Sequence, residues 1–334
     1  MEITNPASRK VAQIAIMVPC VAMLGGISSV SAGPLLGDDL ESFTVLGSST
    51  VTNVPTSSIV GNVGVWSSGG ANAVTGFNSS PGVAVSDPQV TDGLVHAGTA
   101  EAESAQGQLT TARNNLSSMG TGTFLGSDLT GLTLSPGVYT VPAGTTNLSG
   151  SVTLDGGGNA NAAWVFQMPS TLITSPNSGV DVINTGDGAG VFWNVGSSAT
   201  IDTNTSFLGN ILALESITFN TEATDICGRA LADVGAVTLD QNSLDGVCDG
   251  MFTGTQGLSG GLDVTTGDDG SDVVSFLPSE PTDPTDPTDP TDPTDPTDPT
   301  DPSKVPEPGT LALLSLGLIG TALGRRRQPS PGEA

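Results

Sequence analysis

Between Ser198 and Asn242 a threonine returns to one local setting every eighteen to twenty residues. "TIDT" places Thr200 and Thr203, "TFNT" places Thr218 and Thr221, and "VTLDQN" carries Thr238. The first threonine is followed each time by an apolar residue: Ile201, Phe219 and Leu239. Polar and apolar side chains in alternation belong to a half-buried strand. A strand that recurs at a near-constant interval belongs to a chain that winds in short coils and stacks each on the last.

The surrounding sequence agrees. "SFTVLG", "GVYTVP", "SVTLDG", "AWVFQM", "GVFWNVG" and "GNILAL" are short runs rich in β-branched and aromatic residues, and Gly, Asn, Asp and Ser interrupt them. Such runs predict a mostly β body from Gly33 to about Gly250. One segment departs from this pattern. Val95, Gly98, Ala102, Ala105, Leu109, Ala112 and Leu116 alternate in threes and fours, one face of an amphipathic helix. Asp87 is the expected N-cap, Pro88 suits the first turn and Gly120 ends the helix. The small residues of the stripe would let it lie close against a flat sheet. His96 is then expected on the helix surface.

The ends of the chain read as address labels. Residues 1–32 combine a basic start (Arg9, Lys10), the apolar run "VAQIAIMVPCVAML" and the small-residue site "SVSA", the pattern of a signal peptide for signal peptidase. Residues 251–303 form an acidic linker. Within it "PTD" repeats from Pro281 to Pro302, and proline at every third position favours polyproline II, a stiff spacer of about 70 Å. Residues 304–328 carry Pro306-Glu307-Pro308, an apolar segment over about 309–324 that is expected to be a transmembrane helix, and Arg325, Arg326 and Arg327 on its cytoplasmic side. That order resembles the PEP-CTERM sorting signal of Gram-negative bacteria. The resemblance implies transient inner-membrane anchoring, processing by an exosortase, and a secreted or cell-surface destination in the envelope or extracellular matrix.

Charge and composition narrow the chemistry. The formal net charge is −26, and Arg113 and Arg229 are the only Lys or Arg between Gly33 and Glu280. Nucleic acid and anionic lipid headgroups are therefore poor partners. A lyase acting on acidic sugars would need cations or a metal that this body lacks. His96 is the single histidine, so no metal site and no cofactor are expected. "DGGGNA" has no adjoining Lys-Ser or Lys-Thr to cradle phosphate, and "GDDGSD" at 267–272 reads as a solvated loop or a loose calcium site. Arg229 is expected to pair with a carboxylate or a carbonyl. Outside residues 1–32, Cys227 and Cys248 remain; in an oxidising compartment they form a disulfide or stay as two buried thiols. No enzymatic constellation stands out.

From Phe43 to Gly246 the chain resembles the bacterial and fungal ice-binding domain often called DUF3494. The likeness lies in "FTVLGSSTVTNVPTSSIVGNVGVWSSGGANAVTGF", "LSPGVYTV", "VTLDGGGNANAAWVFQMPSTLIT" and the long run from "GVFWNVGSSATIDTNTS" to "VTLDQNS". The resemblance implies a discontinuous, three-sided, right-handed β-solenoid with one long α-helix packed alongside. It also implies binding to the surface of ice through a flat threonine-rich side. The residues expected there are Thr171, Thr174, Thr200, Thr203, Thr205, Thr218, Thr221, Thr224 and Thr238, with Asp202, Glu222 and Asp240 intruding. The alternative is a structural or adhesive protein of a polysaccharide matrix, without ice activity. Threonine columns also stabilise sheets by cross-strand contact alone.

Overall fold

A computed structural model describes residues 33–67, 73–248, 252 and 254–281. The signal segment, the bulk of the PTD spacer and the C-terminal motif lie outside the described residues. Among those described, the α-helices are Asp38–Glu41 and Ala100–Ser118, and the remainder is divided between strands and the turns that join them.

The strands form three rows, parallel between neighbours apart from one antiparallel edge strand. The first row runs from Thr123–Phe124 through Gly137–Thr140, Ala163–Met168 and Gly190–Val195 to the second halves of Ser206–Ala213 and Thr224–Ala232, then to Phe43–Gly47, Asn62–Val65 and Val95–Ala97. The second is Leu172–Ile173, Ala199–Ile201, Ile217–Phe219, Val237–Asp240, Thr50–Val54 and Ala73–Thr75. The third includes Ser151–Asn159, Gly179–Thr185, the first residues of Ser206–Ala213 and Thr224–Ala232, then Ser243–Asp245, Ser58–Val60 and Val90–Thr91. Between the third row and the first the chain bends at Gly209. Its φ is +107°, and a Cβ there would lie 2.6 Å from the side chain of Val191, so a larger residue is excluded twice over.

The stack does not follow chain order. Thr50–Val54 pairs with Val237–Asp240, and Phe43–Gly47 pairs with Thr224–Ala232, so the first turns of chain lie against the last. The long helix is the connection that makes this possible. It leaves the first row at Val95–Ala97, one end of the stack, and returns to it at Thr123–Phe124, the other end. Its 19 residues span about 28 Å, most of the length of a row whose strands repeat at about 4.8 Å.

Burial follows from period-two alternation. Val191, Trp193 and Val195 point into the coil, while Phe192 and Leu212 point outward onto the helix. Inside, Tyr139, Phe166, Trp193 and Phe207 stack in series with centroid separations of 5.8, 4.0 and 5.1 Å. The indole N–H groups of Trp164 and Trp193 donate to the carbonyls of Leu134 and Leu208, so burial leaves neither unpaired. Outside, Ala102, Ala105, Leu109, Ala112 and Leu116 are all buried against Phe43, Leu46, Val165, Phe192, Leu212 and Leu231. The small residues allow the close approach that their spacing suggests.

The helix begins later than its sequence pattern suggests. Val95 and His96 belong to a strand in register with Val63 and Gly64. Gly98, with φ +71°, turns the chain, and Thr99 is the N-cap, accepting from the amide of Ala102. Asp87 instead closes a turn, accepting from the amides of Asn78 and Gln89. His96 is buried rather than on a helix surface. It contacts Thr99 through Nδ1 at 3.0 Å and the ring of Phe43 edge-on, and burial lowers its pKa despite the nearby Glu101.

The folded body also extends past Gly250, into the region read as linker. Leu262–Thr266 and Asp272–Phe276 form an antiparallel hairpin, and "GDDGSD" is its turn, where Asp269 accepts from the amide and hydroxyl of Ser271. Cys227 and Cys248 are disulfide-bonded with Cα atoms 4.8 Å apart. Arg229, 1% exposed, takes the carbonyl alternative: it donates to the carbonyls of Glu41, Gly246 and Gly257 and to Asn210 Oδ1. One guanidinium thereby fastens the N-terminal turn and the loop after residue 245 to the first row.

Candidate functional site

The second row presents one column of outward threonines. Thr200 is in register with Thr218, Thr218 with Thr238, Thr238 with Thr52, and Thr52 with Thr75. Ile173 continues the column beyond Thr200. The flanking residues Ala199, Ile201, Ile217, Phe219, Val237, Leu239 and Val51 are buried in the coil. Thr200, Thr218 and Thr238 are therefore each held outward by two inward apolar neighbours, and Thr52 lies between the buried Val51 and Asn53; Thr75, on the last strand of the row, is flanked by the half-buried Val74 and Gly76. Five threonines at the strand spacing make a line of about 19 Å.

Their hydroxyls are unspent. Among the described residues, those of Thr52, Thr75, Thr200, Thr218 and Thr238 make no hydrogen bond within the protein, whereas several threonines elsewhere do. Thr44, Thr110, Thr130 and Thr140 all donate to carbonyl or carboxylate oxygens. The column thus offers a hydroxyl and a methyl at each point of a regular array, with its hydrogen-bonding capacity turned to solvent.

The other expected threonines are distributed differently. Thr171 precedes the first strand of the row and is half-buried. Thr203 and Thr221 sit at the corner that leads to the third row, beside Asn204 and Glu222, whose φ angles are +54° and +60°. Asn177 and Gln241 occupy equivalent corners with φ +61° and +57°. Thr174 and Thr205 lie inside that corner, 2% and 0% exposed. Their hydroxyls are 3.2 Å apart, Thr174 accepts from the amide of Asp202, and Thr205 donates to the carbonyl of Ser175. Both are corner rivets with no surface to offer. Thr224 stands on the third row, in register with Ser206 and Ser243.

The carboxylates that border the column are tied down. Asp202 accepts from the amide nitrogen of Asn220 at 2.9 Å and from the backbone of Thr203 at 2.7 Å. These bonds hold its pKa below the usual carboxylate range. Asp240 accepts from the hydroxyl of Thr221. Asp202 with Asn220, and Asp240 with Thr221, thus form two hydrogen-bonded pairs beside the threonine column.

Sequence spacing missed Thr52 and Thr75. Their signal is the pair Val-Thr, in "TVTNV" and "AVTGF", the same as in "AVTLD". It went unread because these strands join the row from the other end of the chain.

Comparison with known proteins agrees with this architecture. The profile of the ice-binding-like family matches residues 45–245, and that of the PEP-CTERM protein-sorting motif matches residues 304–328. An ice-binding protein of Nostoc sp. (strain HG1) is 45% identical over 209 residues, covering 62% of this chain and 72% of its own. An ice-binding protein of Flammulina populicola is 32% identical, over 66% of this chain and 93% of its own. The crystal structure of an ice-binding protein from an Antarctic biological consortium superposes with a TM-score of 0.54 at 31% identity, over 71% of this chain and 96% of that one. The family match spans more than half of the sequence, and on that ground the chain belongs to the ice-binding-like family.

Proposed function

We propose that the folded body adsorbs to ice through the outward threonine column of the second row, without enzymatic activity. The carrying observation is the in-register series Thr200, Thr218, Thr238, Thr52 and Thr75 with no internal partner for any hydroxyl. One hydroxyl or methyl contact contributes little by itself. A flat array that engages many lattice points together can hold, because the sheet has already fixed the groups in place and little entropy is left to lose. The relatives named ice-binding proteins support the same reading. In this reading the three rows are the sides of a discontinuous, right-handed, three-sided solenoid, and Thr171, Thr203 and Thr221 border the adsorbing side.

The sorting motif supports export to the cell surface or beyond. Residues 1–32 would be removed by signal peptidase, and residues 309–324 would anchor the chain transiently in the inner membrane of a Gram-negative cell until an exosortase acts.

The test is recrystallisation inhibition and ice shaping by the chain and by Thr218→Tyr. Tyrosine is well accepted on strands, so the melting temperature should hold, while a ring at the centre of the column should lift the surface from ice. Full activity in that variant would move the ice-binding surface elsewhere. An inactive parent that is retained on extracted matrix polysaccharide would favour the adhesive reading.

A further inference from the structure

Residues 257–281 follow the last coil and form a strap that runs back along the stack. Asn210 Nδ2 donates to the carbonyls of Gly257 and Leu258. The amide of Val191 donates to the carbonyl of Leu258, and that of Gly260 to the carbonyl of Ala189. Here backbone lies directly on backbone: a Cβ on Gly190 would stand 1.9 Å from the carbonyl oxygen of Gly260, so only glycine fits. After the hairpin of residues 262–276 the strap reaches the turn at residues 159–161. Asn161 Nδ2 donates to the carbonyl of Pro278 at 3.0 Å, the amide of Glu280 donates to Asn159 Oδ1 at 2.9 Å, and the amide of Ala160 donates to the carbonyl of Glu280 at 2.6 Å. The pinned segment ends at Pro281, where the PTD repeat begins.

Chain order tells where that pin sits. Residues 160–162 join Ser151–Asn159 of the third row to Ala163–Met168 of the first, and residues 186–189 join Gly179–Thr185 to Gly190–Val195. The strap therefore follows the turns between the third row and the first. In a three-sided stack the corner between those two sides is the one opposite the second side, which carries Thr200, Thr218, Thr238, Thr52 and Thr75.

We propose that residues 257–281 act as a tether clasp: they fix the exit of the spacer at the corner opposite the threonine row, so that a body held by its C-terminal end turns that row away from its support. The presentation rests on the threonine row being the adsorbing side; the clasp itself does not. Left unpinned, residues 249–281 would reach roughly 30 Å as a flexible coil. That exceeds the length of the threonine line, about 19 Å, and would let the tether fold across it. Pinned, the same residues keep the tether on the far side of the body.

The test pairs a distance measurement with an adhesion measurement, both on the full chain carrying Cys20→Ser, in which Cys227 and Cys248 are bonded to each other. Spin labels at Thr282→Cys and Thr218→Cys should give one narrow distance distribution. Asn159→Ala with Asn161→Ala should broaden it by about 12 Å, the reach of the five freed residues 278–282. If that double variant lowers the melting temperature, Glu280→Pro takes its place, since Glu280 is exposed and the change removes only its amide donor. Beads coupled through Thr282→Cys should be captured by an ice slurry, and beads coupled through Glu222→Cys, at the exposed corner beside the threonine column, should not. A broad distribution in the parent, or a narrow one in the clasp variant, overturns the clasp. Equal capture of both kinds of bead, or no capture of the Thr282→Cys beads from a chain that is ice-active when free, overturns the presentation. A free chain without ice activity sinks the ice reading alone, and the distance distribution still decides the clasp.

Discussion

Asp225 occupies a position that its column otherwise gives to apolar side chains. Phe207 precedes it in register on one side, and Leu244, Ile59 and Val90 follow on the other. The residue is fully buried, and neither carboxyl oxygen has a well-formed hydrogen bond. Arg229 lies near, but its donors are committed to Glu41, Gly246, Gly257 and Asn210. Burial raises the pKa of Asp225 from 3.8 to about 8, against the opposing pull of the Cys227 amide, the Arg229 charge and the Gly209 amide; Asp245 adds to the rise. The acid is therefore protonated in the native protein at neutral pH and ionised in the unfolded chain. A folded pKa above the unfolded one means that this group contributes its full stability below about pH 4 and loses it as pH rises towards 8. Roughly four pH units at about 1.4 kcal/mol each set the loss at about 6 kcal/mol. Asp225→Asn keeps the shape and cannot ionise. Its stability relative to the parent should be near zero at pH 4 and should climb to several kcal/mol by pH 8. Urea unfolding of both proteins at half-unit pH intervals reads this difference, and titrations common to both cancel in it. A difference that stays flat from pH 4 to 8 would mean that Asp225 is ionised and compensated in the fold, and the reasoning would be refuted.

Two further outcomes follow from the packing. Ala105→Glu places a carboxylate where the helix meets Phe43 and Leu46 with no exposure, and should cost about 3 kcal/mol or more; an unaltered melting curve would put the stripe in water. Thr52→Tyr should reduce recrystallisation inhibition as far as Thr218→Tyr does, because both stand in one column although they come from opposite ends of the domain. Loss in one variant alone would confine the ice contact to part of the row.

Local pattern carried a good share of this protein. Period-two alternation around Thr200, Thr218 and Thr238 declared strands with threonine outward and Ile201, Phe219 and Leu239 inward, and their registers agree. The three-four spacing from Ala102 to Leu116 declared a buried helix face, because small and apolar residues at that interval fall on one side of a 3.6-residue turn. The same pattern overran at Val95 and Gly98, since a three-residue strand is too short to break a helical spacing; Gly98 and the cap at Thr99 decide the boundary. The corners were opaque for another reason. Thr203 and Thr205 have the spacing of one strand face, yet Asn204 between them adopts left-handed φ, turns the chain and sends Thr205 inward. Alternation holds only while the backbone stays extended. Thr52 and Thr75 complete the column through pairing with Thr238, a contact between distant parts of the chain. That contact exists because the helix returns the chain to the far end of the stack, so the first turns close against the last. A sequence lists neighbours along the chain, and only the folded stack decides which strand lies across the open edge.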